Sequence, residues 1–427
     1  MTLPSHCFPD AFRAPCRSFW MGGYEGADHL NGQGTALDMV RETGHLDRLD
    51  EDYRNAAALG IRTVRESIGW RLAEPRAGQG SLERCLHIAR TAQRHGLQVL
   101  WTFMHYGTPS DVSLLDDGMV PRFRDYARRV AEALRPLHDE PPVYNLINEI
   151  GYLAWAVSET NQFHPYLGDP QGRGERTEGC GYTVKRRLVR AVLAGIEAVR
   201  EVDPRARFLH IEPVVHVVAA PGRLDLQDLA DRVSGYQWQA WDMIAGRTDA
   251  CLGGHADALD LIGVNHYHSG QWELPTENRL FWHERDPRRR PFSRLLQDTW
   301  TRYERPLIVA ETGHIGVGRA EWLREVTAEV RQACQWGVPV SGVCLYPLID
   351  RNDWDDPSHW HHSGLWDVNL QATAEDPLPL GRTLCHEYAQ ALAEGRKSLP
   401  QAALQEDGRE VEVEGLAVGD ELLDDCV

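Results

Sequence analysis

Short apolar runs alternate with amphipathic stretches along most of the chain. Residues 19–23 read as a first strand closed by glycines, which presents Glu25 at its mouth either to a ligand or to solvent. Over 45–59, Leu46, Leu49, Tyr53 and Ala57 recur at helical spacing, and Gly60 suits the residue that ends such a helix. The next strand, 61–68, carries Arg65 where a core residue is expected, and a buried guanidinium needs a carboxylate partner. Helical spacing returns over 82–95 and 122–134, on either side of an apolar run at 97–103 that ends in His105 and Tyr106.

Two later runs share one grammar: 142–149 and 306–311 are apolar, bounded by Pro at the start, and end on Glu149 and Glu311, the second closed by Thr312-Gly313. Runs of this length and composition predict buried parallel strands. Further strands are predicted at 208–212, 260–267 and 341–347, and helices at 182–202, 292–303 and 320–336. Alternation of this kind predicts an α/β chain folded as a (β/α)8 TIM barrel in a single domain over 1–393. In such a barrel all strand C-termini meet on one face, so Glu149 and Glu311 converge although far apart in sequence. Paired carboxylates are what glycosidic bond cleavage needs: one protonates the departing oxygen while the other attacks or activates water. The long segments after Glu149 and Tyr267 fall where barrels carry substrate loops. Beyond the barrel, 394–427 is an acidic tail with little apolar patterning, a composition that favours partial disorder.

Composition narrows the picture further. With 42% hydrophobic and 25% charged residues, the 427-residue chain can bury a large core. A formal charge of −18 argues against nucleic acid and anionic membranes as partners. The nine cysteines form an odd set without Cys-x-x-Cys spacing, which disfavours a disulfide framework or a zinc cluster. No stretch has the length of a signal-peptide core or a membrane span, so the expected compartment is the cytoplasm. No cofactor and no metal are expected. The run His359, His361 and His362 prompts a metal-dependent hydrolase as a rival reading, but strand-end ligand spacing is missing.

Several of these stretches together resemble glycoside hydrolase family 1, a β-glucosidase-like group within the retaining barrel glycosidases, over roughly residues 17–392. Arg65-Glu66-Ser67-Ile68-Gly69-Trp70 is similar to the family's second-strand pattern, and Asn148-Glu149 to its fourth-strand pair. Gly263-Val264-Asn265-His266-Tyr267 resembles the sixth-strand motif, and 346–354 the eighth-strand stretch that ends here in Asp353 and Trp354. The resemblance implies Glu149 as acid/base, Glu311 as nucleophile bonded by Tyr267, and Asn148 on the sugar 2-hydroxyl. It implies a carbohydrate or glycoside substrate touched by Glu25, His105, Tyr346, Asp353 and Trp354.

Departures from the pattern are equally specific. Tyr346 stands for Trp, Asp353 for Glu, Tyr106 for the Trp after His105, Ile150 for the Pro after the acid/base, Thr312 for Asn after the nucleophile, and Glu25 near the usual Gln. The implied activity is retaining β-glycoside hydrolysis. A transglycosidase on the same intermediate and a catalytically silent sugar-binding barrel are the alternatives. The loop Asp355-Asp356-Pro357-Ser358-His359 offers acids and no lysine, which predicts a non-phosphorylated glycone, neutral or an amino sugar paired with Glu25; Arg351 is the one cation placed to upset this.

Overall fold

The computed structural model describes residues 16–174, 179–371 and 378–399. Its centre is a closed parallel barrel of eight strands: β1 (Trp20–Gly23), β2 (Thr63–Ser67), β3 (Gln98–Met104), β4 (Val143–Ile147), β5 (Arg207–Pro213), β6 (Leu261–Asn265), β7 (Leu307–Thr312) and β8 (Val340–Leu345). Each strand pairs with its neighbours in chain order, and β8 closes on β1 with Trp20 opposite Val343. Around it lie α1 (Leu49–Ala58), α2 (Glu83–Arg94), α3 (Met119–Leu134), α4 (Cys180–Val202), α5 (Gln239–Ile244), α6 (Phe292–Tyr303), α7 (Arg319–Gln335) and α8 (His386–Ser398). The barrel read from the alternating runs is therefore the observed architecture.

Alternation within each strand builds two cores. Met21, Leu100, Leu209, Ile211, Leu261, Ile308, Ala310 and Cys344 pack together in the lumen. Their strand neighbours Val99, Trp101, Phe208, Ile262, Leu307, Val309 and Val343 pack outward against the helices. Burying each Leu, Ile or Val is worth roughly 1.5–3 kcal/mol, and a one-residue slip would exchange the two sets, so both faces fix the register together. Polar positions obey the same rule. Glu66 on β2 faces outward, where it accepts from Tyr53 Oη at 2.6 Å and lies 3.0 Å from His45 Nε2. Asp52 binds the other ring nitrogen of His45 at 2.7 Å and takes two bonds from Arg382, which ties the C-terminal segment to α1.

Some elements escape the sequence reading. No helix is predicted between 212 and 260, yet α5 packs on α4 there; it is short, and neighbouring 3-10 turns interrupt its periodicity. The loop after β4 opens with a helix, Ile150–Glu159. His216–Ala219 and Gln271–Leu274 pair in parallel and join the loops after β5 and β6. The last helix runs to Ser398, past the boundary at 393 set by composition, and the expected acidic tail from 400 onward lies outside the described residues. No helix among the described residues is long and apolar enough to cross a membrane.

Candidate active site

Glu311 owes its direction to a local irregularity. In β7, Ile308 and Ala310 face the lumen, so strict alternation would turn residue 311 outward. The pairing shifts at this point: Val264 lies opposite Val309 but Asn265 opposite Glu311, and Val343 opposite Val309 but Leu345 opposite Thr312. Such a bulge re-aims a side chain, a device common beside active sites. Glu311 consequently meets Arg65 Nη1 through Oε1 and accepts from Tyr267 Oη at 2.8 Å through Oε2. Thr312 turns away to bond the His266 carbonyl at 2.8 Å and accept from Trp322 Nε1 at 3.0 Å. Arg65 also donates to Asn148 Oδ1 at 2.8 Å and Thr102 Oγ1 at 3.1 Å, so its buried charge has a partner on every side.

Glu149 follows β4 in a left-handed backbone conformation, φ +46°, and forms the N-cap of the helix Ile150–Glu159. A non-glycine residue occupies that region only when its surroundings hold it there. Tyr106, at the end of β3, has φ +98° as well. Its hydroxyl donates to Glu149 Oε2 at 2.5 Å, while Asn265 Nδ2 donates to Oε1 at 2.8 Å. Burial, with the charge of Glu311 second, raises the Glu149 pKa to about 7 against the opposing bonds from Tyr106 and Asn265. Asn148 links the two carboxylates, because Nδ2 donates to Tyr106 Oη at 3.2 Å and approaches Glu311 Oε1 at 3.5 Å. His105 lies 3.2 Å from the same amide nitrogen and 3.2 Å from Ser67 Oγ. Burial and the charge of Arg65 hold its imidazole far below its ordinary pKa, hence neutral.

The other expected ligand-contacting residues separate into two groups. Tyr346 and Glu25 meet beside the site: Tyr346 Oη donates to Glu25 Oε1 at 3.4 Å and accepts from the Gly26 amide at 3.2 Å, and its ring lies 5.3 Å from the Arg65 guanidinium carbon. Glu25 is buried, neither solvated nor free, since Arg351 Nε sits 3.2 Å from Oε2 and the Gly26 and Ala27 amides bond Oε1 at 2.9 and 3.0 Å. Trp354 packs edge-on to His29 at 5.0 Å, near Tyr106 and Phe163, with its indole N–H buried and unpartnered. Asp353 is placed differently. Its Oδ1 accepts the Asp355 and Asp356 amides at 2.8 and 3.1 Å and its Oδ2 lies 3.1 Å from His361, so it shapes the turn.

The histidine run does not gather into one ligand set. His361 pairs with Asp353, whereas His362 joins Asp350 and Asp367 in a group whose ligand atoms lie within 4.8 Å of one another. Asp367 in that group already takes bonds from Arg319 at 2.7 and 3.2 Å. Tyr106, Asn265 and Thr102 are the site residues that the sequence does not assign to the catalytic pair. Tyr106 was visible as a departure from the family pattern, and Asn265 shares its strand end with Tyr267; nothing marked Thr102.

No protein-family model and no curated protein matches the sequence. Solved structures do match in fold. A family 1 β-glucosidase from Thermotoga maritima superposes with a TM-score of 0.67 at 16% identity, over 92% of this chain and 99% of its own. The β-glycosidase BGL167 gives 0.67 at 19% over 94% and 100%. The AHE enzyme from Alicyclobacillus herbarius gives 0.67 at 17% over 91% and 99%. The likeness spans nearly the whole of each chain, and it establishes that this protein has the (β/α)8 barrel fold of the family 1 β-glucosidases.

Proposed function

We propose that this protein is a retaining β-glycosidase of glycoside hydrolase family 1, which cleaves an O-glycosidic bond through a covalent glycosyl-enzyme intermediate. One observation carries the reading: two buried strand-end glutamates lie in unlike environments, one against a guanidinium and a phenol, the other raised to a pKa of about 7. A carboxyl whose pKa is raised, beside one that faces a cation, suits a division into acid and nucleophile.

In the first step a Glu311 oxygen forms a bond to the anomeric carbon as the bond to the leaving oxygen breaks, and that oxygen takes the proton of Glu149. Arg65 and Tyr267 hold the attacking carboxylate in place. Once Glu311 is an ester its charge is gone, and Glu149, now an anion, removes a proton from water. The water oxygen attacks the anomeric carbon and Glu311 is released, giving net retention. His105, Tyr346 and Trp354 contact the sugar in this scheme, with Asn148 on its 2-hydroxyl.

A 2-fluoroglycoside with a good leaving group should inactivate the protein and label Glu311, read by peptide mass spectrometry. Glu311→Gly should be inactive and regain turnover with azide, giving the inverted glycosyl azide. A label on another carboxylate, or inverted product from the intact protein, would overturn the assignment.

A further inference from the structure

Strand β5 ends in a buried carboxylate that the mechanism leaves unused. Glu212 is 2% exposed, and its Oε2 and Oε1 accept the Gly151 N–H at 2.9 and 3.1 Å, with the Ile150 N–H contributing more weakly. These two amides open the helix Ile150–Glu159, whose N-cap residue is Glu149 itself. The first amides of a helix have no acceptor within it, so a carboxyl oxygen placed there satisfies a donor that would otherwise be unpaired.

The surroundings are shaped for the contact. A Cβ on residue 151 would lie 2.6 Å from Glu212 Oε2, so glycine is what admits the carboxylate. The same point is 3.9 Å from Lys185 Nζ on α4, and that ammonium donates to Gln239 Oε1 on α5 at 2.7 Å. Lys185 and Glu149 are charged groups that face Glu212 from the elements around it. Burial pushes Glu212 up to about 8, opposed by Lys185 and the amide bonds and reinforced by Glu149.

We infer that Glu212, backed by Lys185, is a positioning residue for Glu149: by gripping the first amides of the following helix it holds Glu149 in its left-handed conformation and aims the carboxyl between Tyr106 and Asn265. The inference rests on the reading of Glu149 as acid/base. Without the grip, the helix start relaxes and the proton donor loses its direction, while the attack by Glu311 is untouched.

The test compares Glu212→Ala, which removes the acceptor, with Glu212→Gln, which keeps one, using Glu149→Ala as reference. In Glu212→Ala, amide exchange over 150–159 should quicken about tenfold, and kcat/KM should fall about tenfold for aryl β-glycosides with poor leaving groups but stay within about threefold for activated ones. Glu212→Gln should restore part of both. Unchanged exchange in both variants overturns the inference, and so does quicker exchange with equal losses on the two substrate types. If Glu149→Ala itself shows no leaving-group dependence, the acid/base reading has failed, and exchange alone judges the grip. Should Glu212→Ala not fold, Glu212→Gln and Lys185→Met carry the test, and wild-type exchange in both refutes it.

Discussion

Replacing Glu311 by Gln keeps its shape but removes the negative charge beside Glu149. Retention requires carboxyls about 5–5.5 Å apart, and at that separation two unit charges in an effective dielectric of ~20 interact by about 3 kcal/mol, or about two pH units. Burial, the larger cause of the raised value, remains in the variant. Arg65, no longer facing an anion, draws the Glu149 pKa in the same downward direction. Glu149, at about 7 in the intact protein, should therefore titrate about one to two units lower in Glu311→Gln yet stay above the ordinary carboxylate value. Carbon-13 NMR of glutamate-labelled protein measures this directly, with Glu149→Gln to assign the resonance. In the proposed mechanism, forming the glycosyl ester removes the same charge, so the variant mimics the switch from acid to base. A pKa that is unchanged or higher in Glu311→Gln would refute the shared field on which the proposed mechanism depends.

Four further outcomes are expected. Because Glu149 is raised from 4.5 to about 7, its contribution to stability is fully present below 4.5 and is lost as pH rises through 7, so wild type should lose about 3 kcal/mol relative to Glu149→Gln across that window, measured by denaturant unfolding. Tyr106→Phe removes a donor that favours the Glu149 anion, and the basic limb of kcat/KM should move up by as much as about one pH unit; a downward move contradicts the contact. Arg65→Leu strands buried Glu311 and should cost about 3–5 kcal/mol, most of it recovered in the Arg65→Leu/Glu311→Leu double variant, whereas simple additivity would show the pair to be uncoupled. With Arg351 already held by Glu25, neutral β-glycosides should turn over faster than their 6-phosphorylated counterparts, and the reverse order would show that Arg351 leaves Glu25 for phosphate.

Much of this arrangement was legible in the residue order. Apolar runs closed by Glu149 and Glu311 announced strand ends, and strand ends of one parallel barrel must share a face, so the convergence of residues far apart followed from topology alone. Arg65 demanded a carboxylate because an unpaired guanidinium cannot be buried, and the structure supplies Glu311.

What the order could not decide was direction. Strict alternation along β7 points residue 311 at the helices, and only the bulge against β6 and β8 turns it inward. The left-handed turn at Glu149 is likewise invisible in a sequence that places no glycine there, and the groups around it, Tyr106, Asn265 and Glu212, are brought by other strands. Glu25 and Asp353 were both legible as acids near the site, but the Arg351 partner of Glu25 arrives only when the β1 and β8 loops meet, and Asp353 is taken up by the amides of its own turn. Local pattern fixes which face a regular strand presents; bulges, caps and ion pairs are settled by neighbours from elsewhere in the chain, and these determine where each carboxylate points and what charge it holds.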